Sequence, residues 1–171
     1  NLYDLYEKAH TPWDWHKILF KKAKDLDLTI FSTPFDNTAI DLLESLNVSV
    51  YKIASFEITD LNLIKTIAQT NKPIILSTGM ANENEILEAI NIIKKFSNNF
   101  KLILMHCVSG YPTPISEINI SNIKYFKKKF KVIVGLSDHT KSDIAAISAI
   151  TLGAPVIEKH LVLDRSEGGV D

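Results

Sequence analysis

Residues 73–107 read PIILSTGMANENEILEAINIIKKFSNNFKLILMHC. The run 73–78 is apolar on both faces and closes on Ser77 and Thr78. That is the pattern of a strand buried on both sides. Asn82 then opens an amphipathic stretch to Phe96, with Ile86, Leu87, Ile90 and Ile93 at helical spacing. The run 101–107 is again a fully apolar strand that turns polar at its end. A strand, a helix and a second strand in this order form one step of a parallel sheet.

The same alternation extends in both directions. Residues 28–33, 48–55, 132–137 and 155–161 have the strand pattern. Thr11-Pro12-Trp13-Asp14 offers an N-cap, a proline in the first turn and an acid beside it. A helix over 15–25 follows, with Ile18, Leu19 and Phe20 as its apolar residues. A second helix covers 37–46. Thr59-Asp60 caps a third, which carries Leu61, Leu63, Ile64 and Ile67 on one face. Another covers 118–130 and ends in lysines that suit a helix C-terminus. The last covers 142–152, with Gly153 as its stop. The fold class is therefore α/β with a parallel sheet. A (β/α)8 barrel has eight such units in about 250 residues. The pattern supplies about six, which leaves a doubly wound sheet and an incomplete barrel both open.

Composition narrows the function classes. The chain has 171 residues, 46% of them hydrophobic and 23% charged, with a net charge of -1. That is enough for one buried core and excludes disorder as the default. The charge balance gives no reason to expect a nucleic acid or an anionic membrane as partner. A single cysteine, Cys107, makes no intramolecular disulfide and fits a reducing, cytoplasmic setting. No apolar run has the length of a membrane span, and no signal-peptide pattern precedes the first element. A chain that starts at Asn1 and stops after Gly168-Gly169 reads as part of a longer protein.

The chemistry gathers at the strand ends, where parallel α/β folds place their sites. These ends carry Ser32-Thr33, then Lys52 with Ser55 and Glu57, then Ser77-Thr78-Gly79. The later ones carry His106-Cys107-Val108-Ser109, Ser137-Asp138-His139 and Glu158-Lys159-His160. Hydroxyls converging with one lysine are what an anion needs in a dry pocket. Each serine alone is as consistent with turn chemistry. Lys52 is different, because a lysine in a buried strand requires a charge partner or a ligand. His139 and His160 end adjacent units and are the candidate metal ligands, with Asp138, Glu158 or Glu57 as a further ligand or an orienting group. Equally, each histidine satisfies a strand-end carbonyl. His106 is expected to be structural, and His10 and His16 to lie on the surface. Cys107 lacks an elbow turn and an identifiable base, so it is read as a small buried apolar residue. Asp164, Arg165 and Glu167 read as a solvated loop.

Taken together, these strand ends resemble a known family. The segments are FSTPFD (31–36), YKIASFE (51–57), LSTGM (76–80), HCVSGYP (106–112), GLSDHT (135–140) and EKH (158–160). In this order they resemble the sialic acid (nonulosonic acid) synthases, which are (β/α)8 TIM barrels. Ala54-Ser55-Phe56-Glu57 and the TPWDWH segment (11–16) look most like the branch that makes pseudaminic acid.

The resemblance implies a phosphoenolpyruvate-dependent transferase that forms a C–C bond. Phosphoenolpyruvate would condense with 2,4-diacetamido-2,4,6-trideoxy-altrose and water to give pseudaminic acid and phosphate. It further implies phosphoenolpyruvate contacts at Thr33, Lys52, Ser55, Ser77, Ser109 and Ser137, and sugar contacts at Tyr111 and Asp171. His139 and His160 would hold a manganese or magnesium ion, and Glu57 would handle the attacking water or a proton. Residues 1–171 would be a partial TIM-barrel catalytic domain. The family's first two strands and its C-terminal antifreeze-like domain would lie outside this chain, and the fragment alone would be inactive. The parent would be a cytoplasmic homodimer. Neuraminate, legionaminate and spore-coat polysaccharide synthases are alternatives within the family. Another phosphoenolpyruvate-dependent aldol synthase, or a barrel that binds sugar or phosphate without catalysis, are alternatives outside it.

Overall fold

The computed structural model describes residues 7, 10–164 and 166. From Trp13 on, the described residues begin with two helices, α1 (Trp13–Asp25) and α2 (Asn37–Ser45). Strand β1 (Tyr51–Ile53) and a 3-10 turn (Ser55–Thr59) lead into α3 (Leu61–Gln69). The alternation continues through β2 (Ile74–Ser77), α4 (Glu83–Phe96), β3 (Leu102–Cys107), a 3-10 turn (Ile115–Glu117) and α5 (Asn122–Phe130). It closes with β4 (Ile133–Asp138), α6 (Ile144–Thr151) and β5 (Ile157–Lys159). All four strand pairings are parallel.

The strands lie in the order β1-β2-β3-β4-β5, with no switch point. A doubly wound sheet reverses its strand order partway, so that alternative is excluded. Curvature decides for the barrel. Four neighbour spacings of about 4.8 Å would put β1 and β5 roughly 19 Å apart in a flat sheet. Yet Lys52 on β1 bonds Glu158 on β5 at 2.8 Å, further than the two side chains reach across a flat sheet. The sheet is a parallel half-barrel, and its concave side holds that ion pair.

Pleating sorts the strand residues onto two sides. Tyr51, Ile53, Ile74, Leu76, Leu102, Leu104, Val134 and Leu136 are buried in the core. There they meet Ile64, Ile67, Ile86, Ile90, Ile93 and Ile123 of the helices. Lys52, Ser77, Cys107, Ser137 and Glu158 alternate with them and share the concave side. Gly135 belongs to that side too. A Cβ there would lie 2.6 Å from the Val156 carbonyl and 2.7 Å from Met105 Sδ, so only glycine fits between the two strands.

The starts of α2, α3 and α4 follow side-chain caps, whereas α1 has Pro12 rather than Thr11 at its N-cap and no side-chain cap. The Asp60 carboxylate accepts from the Asn62 and Leu63 N–H groups at the head of α3. Asn82 and Glu85 close a capping box on α4. Two helices start later than the periodicity predicts. Asn119 has φ 45°, a left-handed conformation that breaks the stretch before α5. Before α6, Thr140 and Ser142 form a turn in which the Thr140 hydroxyl donates to the Ser142 carbonyl at 2.9 Å. Gly153, with φ 87°, ends α6 as expected.

The first element differs from expectation. Residues 28–33 carry no ladder hydrogen bonds and form no strand. Among the described residues, β1, the next strand in sequence, pairs only with β2. The inward face of α1 also differs. Ile18 is 70% and Leu19 42% exposed, while His16 and Ala23 are buried and Phe20 packs against the core. His16, expected on the surface, is 7% exposed. Its position one turn before Phe20 turns it inward, where its ring lies 3.4 Å from the Ser32 hydroxyl. His10 is exposed, as expected.

Candidate active site

Lys52 is the middle residue of β1, so pleating directs it away from the helices and into the concave side. Its required charge partner is Glu158, at 2.8 Å. The same Glu158 oxygen accepts the Ser137 hydroxyl at 2.9 Å. Ser137 Oγ in turn lies 3.4 Å from His139 Nε2. β1, β4 and β5 are thereby linked by one chain of polar contacts. Burial alone would raise the Glu158 carboxyl. The Lys52 ammonium, which also donates to it, and the Ser137 hydroxyl outweigh it and hold Glu158 below the usual carboxylate range.

His139 Nδ1 lies 2.8 Å from the Val108 carbonyl. A carbonyl only accepts, so Nδ1 carries a proton, and the lone pair of the neutral tautomer is then on Nε2. That is the tautomer and the backbone anchor that a metal-binding histidine requires. The His160 ring is 5.3 Å from the His139 ring at 77°, as adjacent strand ends predict. Tyr111 stacks 4.3 Å from His139 and 6.0 Å from His160. The Thr113 N–H donates to the His139 carbonyl and fixes this loop against β4. The pair fits a divalent ion with two imidazole ligands and oxygen donors in its remaining positions. Among the described residues no cluster of three or more His, Cys, Asp or Glu is present. Asp138 contributes nothing to the pair. It points to the helix side, where Lys159 holds it at 2.8 Å and the Thr140 N–H at 2.8 Å.

Ser55, Ser77 and Ser137 are buried. Ser77 Oγ and Ser109 Oγ are buried without a hydrogen-bond partner. Buried hydroxyls left unsatisfied are costly, so two of them among these strand ends mark a place shaped for an acceptor. Ser55 Oγ takes the Gly79 N–H at 3.1 Å and lies 3.1 Å from Cys107 Sγ. Cys107 is buried, as expected, but on the concave side and against a hydroxyl rather than in the apolar core. Its closeness to Ser55 was not legible in sequence, because the two are joined only by the curvature of the sheet. Thr78 faces the other way and bonds the Met105 carbonyl.

Glu57 sits in the 3-10 turn after β1, half-buried, with Oε2 enclosed and unpartnered. Burial pushes its carboxyl above the usual range, and Asp60 adds to the effect. Thr33 is half-buried and lines a groove of about 490 Å³ with His16, Ser32, Phe35 and Asp36. The Lys52–Glu158–Ser137 chain does not include it. Asp171 lies outside the described residues, as do Arg165 and Glu167. His106 is structural, as expected. Its Nε2–H donates to the Ile118 carbonyl at 2.7 Å and its ring meets Phe126 edge-on.

A parallel half-barrel with a cation, a carboxylate, two imidazoles and unsatisfied hydroxyls at its strand ends has the makings of an anion-handling enzyme site. The NeuB family pattern matches residues 1–171, and the chain belongs to that family. It is 51% identical over 166 residues to a pseudaminic acid synthase of Helicobacter pylori, covering 97% of this chain and 48% of that protein. It is 45% identical over 168 residues to an N,N'-diacetyllegionaminic acid synthase of Campylobacter jejuni, covering 98% and 50%. An N-acetylneuraminic acid synthetase from Leptospira borgpetersenii, solved with citrate, superposes with a TM-score of 0.90 at 34% identity. The match covers 96% of this chain and 57% of that one. The chain spans about half the length of the curated relatives it matches. These relatives are sialic, legionaminic and pseudaminic acid synthases, enzymes of carbohydrate biosynthesis. No helix of the described residues is long and apolar enough to cross a membrane.

Proposed function

We propose that this chain carries the strand-end part of a pseudaminic acid synthase site. The reaction joins phosphoenolpyruvate to 2,4-diacetamido-2,4,6-trideoxy-altrose and consumes water, giving pseudaminic acid and phosphate. One observation carries the reading. The buried, unpartnered Ser77 and Ser109 hydroxyls lie on the same concave face as the Lys52–Glu158–Ser137 chain. The acceptor sugar is supported by the 51% identity to a pseudaminic acid synthase.

Lys52 and the hydroxyls of Ser55, Ser77, Ser109 and Ser137 hold the carboxylate and phosphate of phosphoenolpyruvate, with Thr33 at the rim. Their contribution is orientation and charge stabilisation in a site already formed. Tyr111 and Asp171 face the sugar. C3 of phosphoenolpyruvate bonds to the aldehyde carbon, whose oxygen takes up a proton, and positive charge develops at C2. Water adds to C2 and gives a proton to Glu57, whose enclosed carboxylate is a stronger base than an exposed one. Phosphate then leaves with the bridging oxygen by C–O cleavage while the C2 hydroxyl gives it a proton and becomes the ketone, and the proton taken by Glu57 replaces the one spent on the aldehyde oxygen. His139 and His160 would hold a divalent ion that supplies Lewis-acid polarisation of the aldehyde. In this reading the whole protein is a homodimer, residues 1–171 are its partial barrel, and a C-terminal domain completes the pocket.

The test is phosphate release by the whole protein with manganese, offering the altrose sugar or N-acetylmannosamine. Release with the altrose sugar alone is expected. Release with N-acetylmannosamine alone would keep the reaction and overturn the acceptor. Binding of phosphoenolpyruvate without release in either case would identify a binding barrel and sink the enzyme reading.

A further inference from the structure

Ser55 Oγ occupies an unusual position among the strand-end hydroxyls. A hydroxyl has one proton and two lone pairs. The Gly79 N–H donates into Ser55 Oγ at 3.1 Å and takes one lone pair. Cys107 Sγ lies 3.1 Å from the same oxygen, with either atom able to donate. A thiol is a weak donor and a weak acceptor, so whatever else contacts Ser55 decides the direction of that bond.

Gly79 is the hub of this arrangement. A Cβ on Gly79 would lie 2.3 Å from Ser109 Oγ, 2.8 Å from Ser55 Oγ and 2.9 Å from Cys107 Sγ. Three polar side chains from the β1 and β3 units therefore close on one bare α-carbon of the β2 unit. Ser109 Oγ, one of them, has no hydrogen-bond partner. Cys107 is also in register with Ser137, the hydroxyl bound to Glu158. The cluster is thus continuous with the charged half of the site.

We infer that Cys107 is a positioning residue for Ser55: given the anion-site reading above, its S–H and the Gly79 N–H fill both lone pairs of Ser55 Oγ and commit the Ser55 proton to a substrate oxyanion. With an oxyanion of phosphoenolpyruvate in the cleft, Ser55 donates to it and the thiol donates to Ser55. A residue without a donor at 107 leaves one lone pair empty and lets the hydroxyl rotate away from the substrate. Cys107 itself touches no substrate atom.

The experiment measures steady-state kinetics of the whole protein as Cys107→Ala, Cys107→Ser and Cys107→Val. Losing one orienting hydrogen bond is expected to raise KM for phosphoenolpyruvate about three- to tenfold in Cys107→Ala. KM for the sugar should stay put. Cys107→Ser, which restores a donor, should bring KM for phosphoenolpyruvate back to within about twofold of the parent. Cys107→Val fills the space and donates nothing, so it should behave as Cys107→Ala. It also serves as the second readout if Cys107→Ala does not fold. A purely packing role gives the opposite pattern. Cys107→Val would then match the parent, or Cys107→Ser would fail to recover what Cys107→Ala loses, and either result overturns the inference. If the unsubstituted protein itself does not bind phosphoenolpyruvate, the anion-site reading fails first, and that outcome is read without any variant.

Discussion

The two faces of the half-barrel carry the same residue types and put them to different uses. On the helix side, His106 is anchored on the Ile118 carbonyl and Asp138 is held by Lys159 and the Thr140 N–H. On the concave side, one residue along each strand, His139 keeps a lone pair on Nε2 while Ser77 and Ser109 keep unspent hydroxyls. Polar groups on the helix side are saturated because hydrocarbon packs around them, and an unpaired group there is costly. On the concave side Ser77 and Ser109 are left without partners beside the paired Lys52, Glu158 and Ser137, which is how a surface that waits for a ligand differs from a core. Residue type alone does not separate the two. Position in the pleat does.

The sharpest way to break this contrast is to remove a concave-side histidine. In the whole protein His139→Ala should abolish phosphate release while circular dichroism and the unfolding midpoint stay close to the parent. Substantial turnover would remove His139 from the site. Next in size is Glu57→Gln, which should lower kcat by roughly 10²–10⁴-fold. KM for phosphoenolpyruvate should change little, because the carboxyl is assigned to the water. A rise in KM with kcat intact would move Glu57 to substrate binding.

The helix side should respond in stability instead. Lys159→Met removes the cation from Asp138, whose side chain is 0% exposed. Lys159 itself is partly exposed, so the cost should be about 1–3 kcal/mol in urea unfolding. Turnover per folded molecule should be retained. A loss of turnover without a loss of stability would place the pair in the site and erase the distinction.

The smallest effect concerns His106. Burial holds its imidazole below the ordinary value of 6.5, outweighing the Ile118 carbonyl. The unfolded chain therefore binds a proton at higher pH than the folded one. Stability should be level above about pH 6.5 and fall as pH drops through 6.5 toward the lowered folded value. His106→Gln should flatten that part of the curve relative to the parent. Parallel curves for the two proteins would show that His106 does not stay neutral when folded.

Much of this architecture was legible from periodicity. The strands around Tyr51–Ile53, Ile74–Ser77, Leu102–Cys107, Ile133–Asp138 and Ile157–Lys159 were marked by apolar runs that turn polar at one end. Asp60, Asn82 and Gly153 punctuated the helices where expected. Residues 28–33 failed because strand pattern alone does not supply a neighbour to pair with. His16 failed because the flanking Ile18 and Leu19 look more apolar, yet the inward stripe of α1 runs through His16, Phe20 and Ala23.

The sequence by itself determined the α/β class, the side of the sheet that carries chemistry, the need of Lys52 for a partner, and the family. These follow from local periodicity, from the cost of a buried charge and from motifs at successive strand ends. Only the tertiary structure decided that Glu158 is that partner, that Asp138 turns to the helices while His139 turns inward, and that Ser55, Gly79, Cys107 and Ser109 meet at one point. Those contacts join residues from strands that are not adjacent in sequence. They exist because parallel strands in unbroken order curl toward a barrel and bring their inward side chains together.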